Sequence, residues 1–544
     1  MNYDGQAAKR YRALEGDRNY RLEQARTSGR LTVPYLIPLS DEATALRNQD
    51  FVLPWNGIGA RGTHNLASKL LIALLPPTET FFRFTIDEIE MGKNEQMLYQ
   101  QGATPEDVAR QKTEFDIGLA RLERAVLHSI ETSNDRVAVH EMLLHLIVGG
   151  NVLMYVAEEG LKCFHLNKYV LRRDPMGNPL EAIVNEKISI ENLPDSAREL
   201  VDEKEGEITG IVDEQGKPKY EETVNVYTHI QWENKSVSWY QEISGNEVPG
   251  SRGSAPVSES PWLPLRMYRI DGDSYSPGYI EAACIADLQT AEALAQAIAE
   301  GALVSAQVKH LVKPSGIANP KKLAEAANGA YVPGNPDDVF TLQINKAQDL
   351  NIALQSLTTI EARLAQSFML NQPRQAERVT AEEVRLQALQ LENALGSIYA
   401  ILTTEFQQPY VSRKLVLLTR KGKMAKLPNE LVRPVVSVGL AAVGRGNDLE
   451  KTARFMQILQ QTLGPEGVAT YVNPSELISR LASSMGMDLV GLVKSEEQLQ
   501  QEQQQQQQMM LAQQAMQAGM ADPQKLANAE ATQAELEQPP EPEQ

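Results

Sequence analysis

Residues 278–312 read GYIEAACIADLQTAEALAQAIAEGALVSAQVKHLV, and this stretch decides the fold. Apolar side chains recur at Ile280, Cys284, Leu288, Ala291, Leu294, Ala295, Ile298 and Ala302, close to the period of a helix. The spacing predicts a single helix over 278–312, roughly 50 Å long at the rise of an α-helix. Its many alanines suit close contact with other helices. Pro314, Gly316 and Pro320 end it, and a second helix is predicted over 347–370. The chain therefore runs out along one helix, forms a compact lobe over 313–346 with breakers at Pro333, Gly334 and Pro336, and returns along another. Asn371-Gln372-Pro373 stops the return, and Thr380 with Glu383 has the spacing of a capping box, which leaves a loop over 371–379.

Upstream, residues 1–150 read as mostly helical, with apolar periodicity at Leu66, Leu70, Ala73 and Leu74 and again at Leu119, Leu122, Val126, Leu127 and Ile130. From Asn151 the pattern turns to short β-rich runs, Val152–Val156, Tyr169–Arg172, Val224–Ile230 and Val237–Tyr240, with turn signals at Asp174–Asn178 and Ser244–Asn246. These predict an antiparallel β lobe. Ser251–Pro264, rich in Ser, Gly and Pro, reads as a linker. Downstream, helical segments continue to about Val493, broken at Pro428, Pro434, Gly444–Gly446 and Pro474. Residues 495–544 carry a Gln503–Gln508 tract and nine acidic residues against Lys525 alone, the composition of a polar helix fading into a loose tail. The fold class is α+β, predominantly helical.

Composition narrows the function. Asp and Glu number 71 against 52 Lys and Arg, a formal net charge of −19 over 544 residues. A protein that grips DNA by neutralising many phosphates carries the opposite balance. An acidic conduit, by contrast, repels a passing duplex and keeps it from sticking. No run of about 18 uncharged apolar residues exists, so no membrane span is expected. The polar start through Arg30 has no secretory apolar stretch, and the expected place of synthesis is the cytoplasm. Cys163 and Cys284 stand far apart with no ligand cluster around them and read as buried thiols.

Candidate chemistry is sparse. Gly57, Gly59 and Gly62 satisfy GxGxxG, but Pro54 and Trp55 interrupt the strand that a dinucleotide fingerprint requires. A nucleotide-binding enzyme built on that turn is kept as the alternative; the plainer reading is a tight turn into a helix. His140-Glu141 and His145 imitate a zinc-protease helix, yet a five-residue spacing turns the second imidazole away from the first. No phosphate loop, nucleophile elbow or calcium loop occurs, so no cofactor, metal or catalytic residue is expected. Two basic features interrupt the acidic whole: Arg374 with Arg378 in the 371–379 loop, and the run from Arg413 to Lys426, which could touch DNA, a partner or nothing.

Five strings in order resemble the portal family of short-tailed, podovirus-type bacteriophages: PWNGIGARGTHNLASKLLIALLPP from Pro54, LIVGGNVLMY from Leu146, NVYTHI from Asn225, ERVTAEEV from Glu377 and GLAAVGRGNDLEK from Gly439. The resemblance implies a ring, usually of twelve subunits, around a central channel. It implies a wing over 1–277, stem helices over 278–312 and 347–370, a clip over 313–346, a channel loop over 371–379, a wing return helix over 380–429 and a crown over 430–494. The glutamine-rich 495–544 follows as a channel extension or tail. Such a ring would be a non-enzymatic virion component at the capsid portal vertex, assembled in the host cytoplasm. Through it double-stranded DNA is packaged and ejected. Its implied partners are terminase, the tail adaptor, scaffold, the major capsid protein and internal core proteins, with no membrane. In that frame Arg374 and Arg378 would face DNA from the channel loop, and Lys313, Lys321 and Lys322 would serve partner binding in the clip.

Overall fold

The structure is a computed structural model that describes residues 5–38, 53–76, 81–85, 92, 96–100, 102, 104–201, 207–212, 218–306, 309–342, 347–370, 395–422, 435–438, 454–464, 472, 477–478 and 509–510. The chain divides into two compact units, Met1–Gly444 and Arg445–Gln544. In the second, residues 454–464 are helical.

The first unit opens on four long helices, α1 (Gln6–Arg30), α2 (Ile58–Leu74), α3 (Pro105–Thr132) and α4 (Asp135–Gly149). Their periodic positions do what the spacing predicts: Leu66, Leu70, Ala73, Leu74, Leu119, Leu122, Val126 and Ile130 are all buried. Between α2 and α3 lies a strand the periodicity did not show, β1 (Phe82–Thr85). It pairs antiparallel with a strand near the far end of the unit, Val435–Val438. That pairing joins Val435–Val438 to the start of the first unit.

The β lobe is antiparallel as expected, and richer. β2 (Asn151–Val156) and β3 (Leu161–His165) form a three-stranded sheet with Trp262–Arg266. β4 (Tyr169–Arg173), β5 (Pro179–Ser189), β6 (Glu207–Val212), β7 (Pro218–Trp232), β8 (Ser236–Ile243), β9 (Asn246–Glu247) and β10 (Gly253–Pro256) form a seven-stranded one. The 251–264 segment is therefore not a plain linker. It contributes β10 and the start of β11 (Trp262–Arg266), which are short and lack strict alternation because each is specified by its partner strand, β8 and β2. The turn at 174–178 is real: Asp174 accepts from the Asn178 amide at 2.7 Å.

The helix-to-sheet junction explains the GGN string. Gly150 ends α4 with φ 74, in the left-handed region, and a Cβ there would lie 2.4 Å from the Pro277 backbone. Asn151 then ties three segments together, donating to Gly149 O and Ser276 O and accepting from the Ser276 amide.

Beyond that junction the predicted 278–312 helix is resolved into three pieces. A short α5 (Tyr279–Ala283) breaks at Cys284, α6 (Ile285–Ala306) follows, and the last residues are strand β12 (Lys309–Val312). The helix thus ends earlier than the expected Val312, since β12 pairs with β13 (Val339–Leu342), a partner no local pattern reveals. A one-turn helix α7 (Pro320–Glu325) lies between the strands, and α8 (Ala347–Ser367) returns, slightly shorter than the 347–370 expected. Residues 395–402 are helical, turn through a π-helical stretch at Thr403–Gln407 and continue as α9 (Gln408–Arg420), ahead of β14 (Val435–Val438). One large core joins α1 to α6 with α8, α9, β1 and most strands of the two larger sheets. Among the described residues, none between 299 and 356 belongs to it.

Candidate functional site

α6 and α8 run antiparallel as a pair. Near one end Arg363 pairs with Asp287 at 2.8 Å, and near the other Leu350 packs within van der Waals reach of Gly301. The charged side chains of α6 are all acidic, Asp287, Glu292 and Glu300; Gln289, Glu292, Gln296 and Glu300 share one face, and most of the remaining surface is apolar. A helix with so much apolar surface is expected to lie largely against other protein. Yet only Leu288 and Ala291 of α6 are buried. Leu303 is 66% exposed, and across the pair Ile352 is 64% exposed.

The base of this pair is bolted to the body. Glu292 accepts from the amides of Trp55 and Asn56, and the Asn56 side-chain amide donates to Glu361 of α8. Tyr279 donates to Ser367 O. Where α8 ends, Met369 adopts φ 55, a left-handed conformation that a non-glycine residue takes only when held. Holding it are Asn65 and Lys69 of α2, which donate to the carbonyls of Phe368 and Met369.

At the other end stands the lobe of β12, α7 and β13. Asp338 organises it: its backbone oxygen accepts from Lys313, and its buried carboxylate accepts from the amides of Ile317 and Ala318. Asn319 caps α7 by accepting from Lys321 and Lys322. Lys313, Lys321 and Lys322 all lie on this lobe and are exposed. The cross-strand pair Leu311 and Phe340 also lies bare, as do Ile317 and Tyr331. Sequence reasoning singled out the lysines and missed these apolar residues, whose signal was four large apolar side chains in a segment full of breakers.

Arg374 and Arg378 lie outside the described residues, as do the 371–379 loop, the capping box at Thr380 and nearly all of 495–544. The 413–426 run resolves differently from a solvated face. Arg413 and Lys414 are buried. Lys414 meets Asp135 at 2.5 Å, Tyr410 donates to the same carboxylate at 2.6 Å, Arg413 donates to Glu259 O, and Lys421 donates to Glu158 O. The described part of this run staples α9 to the body; Lys423 and Lys426 lie outside the described residues.

At the glycine turn Gly57 is open, while the other two glycines of the pattern are closed in by protein. A Cβ at Gly59 would stand 2.5 Å from Leu31 O, and one at Gly62 would stand 2.4 Å from the ring of Phe368, so these glycines admit neighbouring protein and not phosphate. Asn56 accepts from the Ile58 amide, occupying the first turn of α2. The alternative enzyme finds no support there. His140 stacks on His64 and His145 on His165, two separate ring pairs with centroids about 6 Å apart. Among the described residues no group of three His, Cys, Asp or Glu is placed to hold a metal ion. Burial lowers His165 to about 3 and raises Cys284 to about 11. No helix of the described residues is long and apolar enough to cross a membrane.

The NVYTHI string supplies the polar centre of the large sheet. His229 bonds Glu181 at 2.9 Å and Tyr240 at 3.0 Å, and Arg10 of α1 closes on the same carboxylate at 2.9 Å. Burial would raise Glu181, but His229 and Arg10 hold it down to about 2. This cluster joins α1 to the sheet. Beside it opens a cleft of about 410 Å³ lined by Arg10, Arg172, Glu181, Trp232 and Glu233 among others, with cations and carboxylates in balance.

Comparison with known proteins bears on the whole chain. Residues 4–492 match the family described as bacteriophage head to tail connecting protein. The chain is 38% identical over 521 residues to the portal protein of Escherichia phage T7, covering 94% of this chain and 90% of that one. It is 36% identical over 536 residues to the portal protein of Enterobacteria phage T3, covering 97% and 95%. Similarity extends to the portal protein of Enterobacteria phage SP6, 28% identical over 510 residues and covering 92% of each.

Proposed function

The chain belongs to the bacteriophage head-to-tail connecting protein family, and from that premise we propose how its architecture serves as the portal of a short-tailed phage. The protein is a structural virion component that forms a ring linking capsid and tail, through which double-stranded DNA enters and leaves. The observation that carries the ring from first principles is α6, a predominantly apolar helix with only two buried residues. A face of that kind is stable in water only when another surface covers it, and a head-to-tail contact that closes on itself makes a ring.

In this reading α6 and α8 are the stem, the lobe between them is the clip, the β sheets and flanking helices are the wing, and residues 430–494 are the crown, followed by the glutamine-rich 495–544 as a channel extension or tail. Twelve copies surround the channel. The clip, with Lys313, Lys321 and Lys322, meets terminase during packaging and the tail adaptor afterwards; scaffold, the major capsid protein and internal core proteins meet the rest. Arg374 and Arg378 line the channel, where guanidinium groups repeated around the ring make weak equivalent contacts with phosphates and restrain a packed genome without stopping it. The protein performs no catalysis and resides at the capsid vertex after assembly in the host cytoplasm.

Mass photometry and negative-stain imaging of the purified full chain test this. The expected result is closed rings with a central hole; monodisperse monomers at micromolar concentration would overturn it.

A further inference from the structure

The turn ahead of α2 inverts the usual order of burial. Asn56, a polar residue, is 9% exposed, while its neighbours Trp55 and Leu53 stand 56% and 75% exposed. An exposed apolar residue alone means little, because every protein surface has some. What sets this turn apart is how firmly it is held with its apolar side outward. The two oxygens of Glu292 accept from Trp55 N at 2.9 Å and Asn56 N at 3.1 Å. The Asn56 side chain donates to Glu361 at 3.0 Å and accepts from Ile58 N at 2.9 Å. Pro54 fixes one more torsion just before the tryptophan. A carboxylate from each helix of the α6 and α8 pair thus grips the turn, and the gripped backbone presents an indole to solvent.

We propose that Leu53 and Trp55 form a preorganised knob that inserts into the adjacent copy of this chain, with Trp55 as the anchor of the contact. The inference rests on the ring reading above and adds to it the residue that locks neighbour to neighbour. Tryptophan is the side chain whose burial at an interface stabilises most, and a turn already fixed loses little entropy on docking. The occupant is a second copy because the turn is bonded to the same two helices whose apolar faces need covering, so the surface that covers them meets Trp55 as well. Charge agrees: Arg61, exposed one turn further along, follows the knob, whereas the charges of α6 on a neighbour are acidic and Glu300 is exposed. A knob on one part of the chain and a receiving surface on another make the head-to-tail contact that a ring requires.

The test uses the purified full chain and three variants, Trp55→Ala, Trp55→Phe and Glu292→Ala. Assembly is followed by mass photometry across a concentration series. Trp55→Ala is expected to need at least about tenfold more protein for half assembly, and Glu292→Ala, which keeps the indole but frees the turn, to fall between it and wild type. Acrylamide quenching supplies the second readout: the fluorescence lost in Trp55→Phe isolates this indole from the other three tryptophans, and that fraction should become protected on assembly. Assembly of Trp55→Ala at wild-type concentration, or an indole as open to quencher in rings as in dissociated chains, overturns the proposal, and leaves a bound non-self partner as the remaining role of the knob. A wild-type chain that forms no rings sinks the ring reading itself, a different result seen before any substitution is made.

Discussion

The body and the arm of the first unit follow opposite rules. In the body, even charged side chains are buried and paired: Asp135 is fully buried between Lys414 and Tyr410, and Glu181 sits between His229 and Arg10. In the arm made of α6, β12, α7, β13 and α8, large apolar side chains such as Leu303, Tyr331, Phe340 and Ile352 lie in water, and residues 299–356 contribute nothing to the described core. The core of the body closes within one chain. The arm is held in shape by a few polar bolts at its base and in its lobe, and leaves its apolar surface for something else to cover. Stability and assembly are therefore written in different residues, and substitutions should separate them.

The largest effect is expected from Asp135→Ala. It strands the Lys414 ammonium and the Tyr410 hydroxyl inside the body, and breaking one partner of a buried ion pair costs about 3–5 kcal/mol. Thermal melting should fall by several degrees, and assembly should be lost at the temperature where the variant unfolds. The double variant Asp135→Ala with Lys414→Met should recover much of the loss, since no buried charge is left unmatched. A single variant that melts like wild type would mean that the body is not held through this pair.

An intermediate effect is expected from acid. Glu181 is held at about 2 in the folded chain against an ordinary value of 4.5. A carboxyl with a depressed folded value stabilises the protein above its unfolded value, and that contribution disappears as pH falls from about 4.5 towards 2. Melting temperature followed over this window should drop more steeply for wild type than for Glu181→Gln, which has no carboxylate to protonate. Parallel curves for the two would remove Glu181 from the body's acid sensitivity.

These two clusters also mark where sequence reading stops. The helix pair was legible because its periodicity is local, and so was the β lobe, whose turn at Asp174–Asn178 closes on itself. The bond between Tyr410 and Asp135 spans 275 residues, and nothing near Lys414 distinguishes it from a solvated lysine. β1 and β14 are four residues each and become strands only in each other's company. β12 was read as the end of a helix for the same reason. Of the expected site residues, Lys313, Lys321 and Lys322 are exposed on the lobe between α6 and α8, where their place in the sequence puts them. Their apolar neighbours were missed because exposure is a property of the fold and leaves no mark on the local pattern. The carboxylate grip of Glu292 on Trp55 and Asn56 was equally invisible, although the PWNG string that carries it was quoted for its resemblance.

The smallest effect, and the one that sharpens the contrast most, is expected from Asp338→Ala. In the lobe this carboxylate does alone what a whole core does in the body. It accepts from Ile317 N at 2.8 Å and Ala318 N at 3.4 Å, and Gly316 lies so close that a Cβ there would stand 2.5 Å from the Asp338 carboxyl carbon. Removing the acceptor leaves the two amides to water and costs about 1 kcal/mol, as loss of a helix cap does. Were the lobe part of one cooperative core, that cost would appear in the melting of the whole unit. Because no residue from 299 to 356 joins the described core, the cost should stay local. Hydrogen exchange at Ile317 and Ala318 should accelerate by about fivefold or more, while the melting temperature of dissociated chains stays within a degree or so of wild type. The contrast with Asp135→Ala is then complete: one carboxylate decides whether the chain folds, the other only how one end of the arm is presented. A drop in global melting comparable to that of Asp135→Ala would instead show the arm folding as one unit with the body, and the division drawn between them would fail.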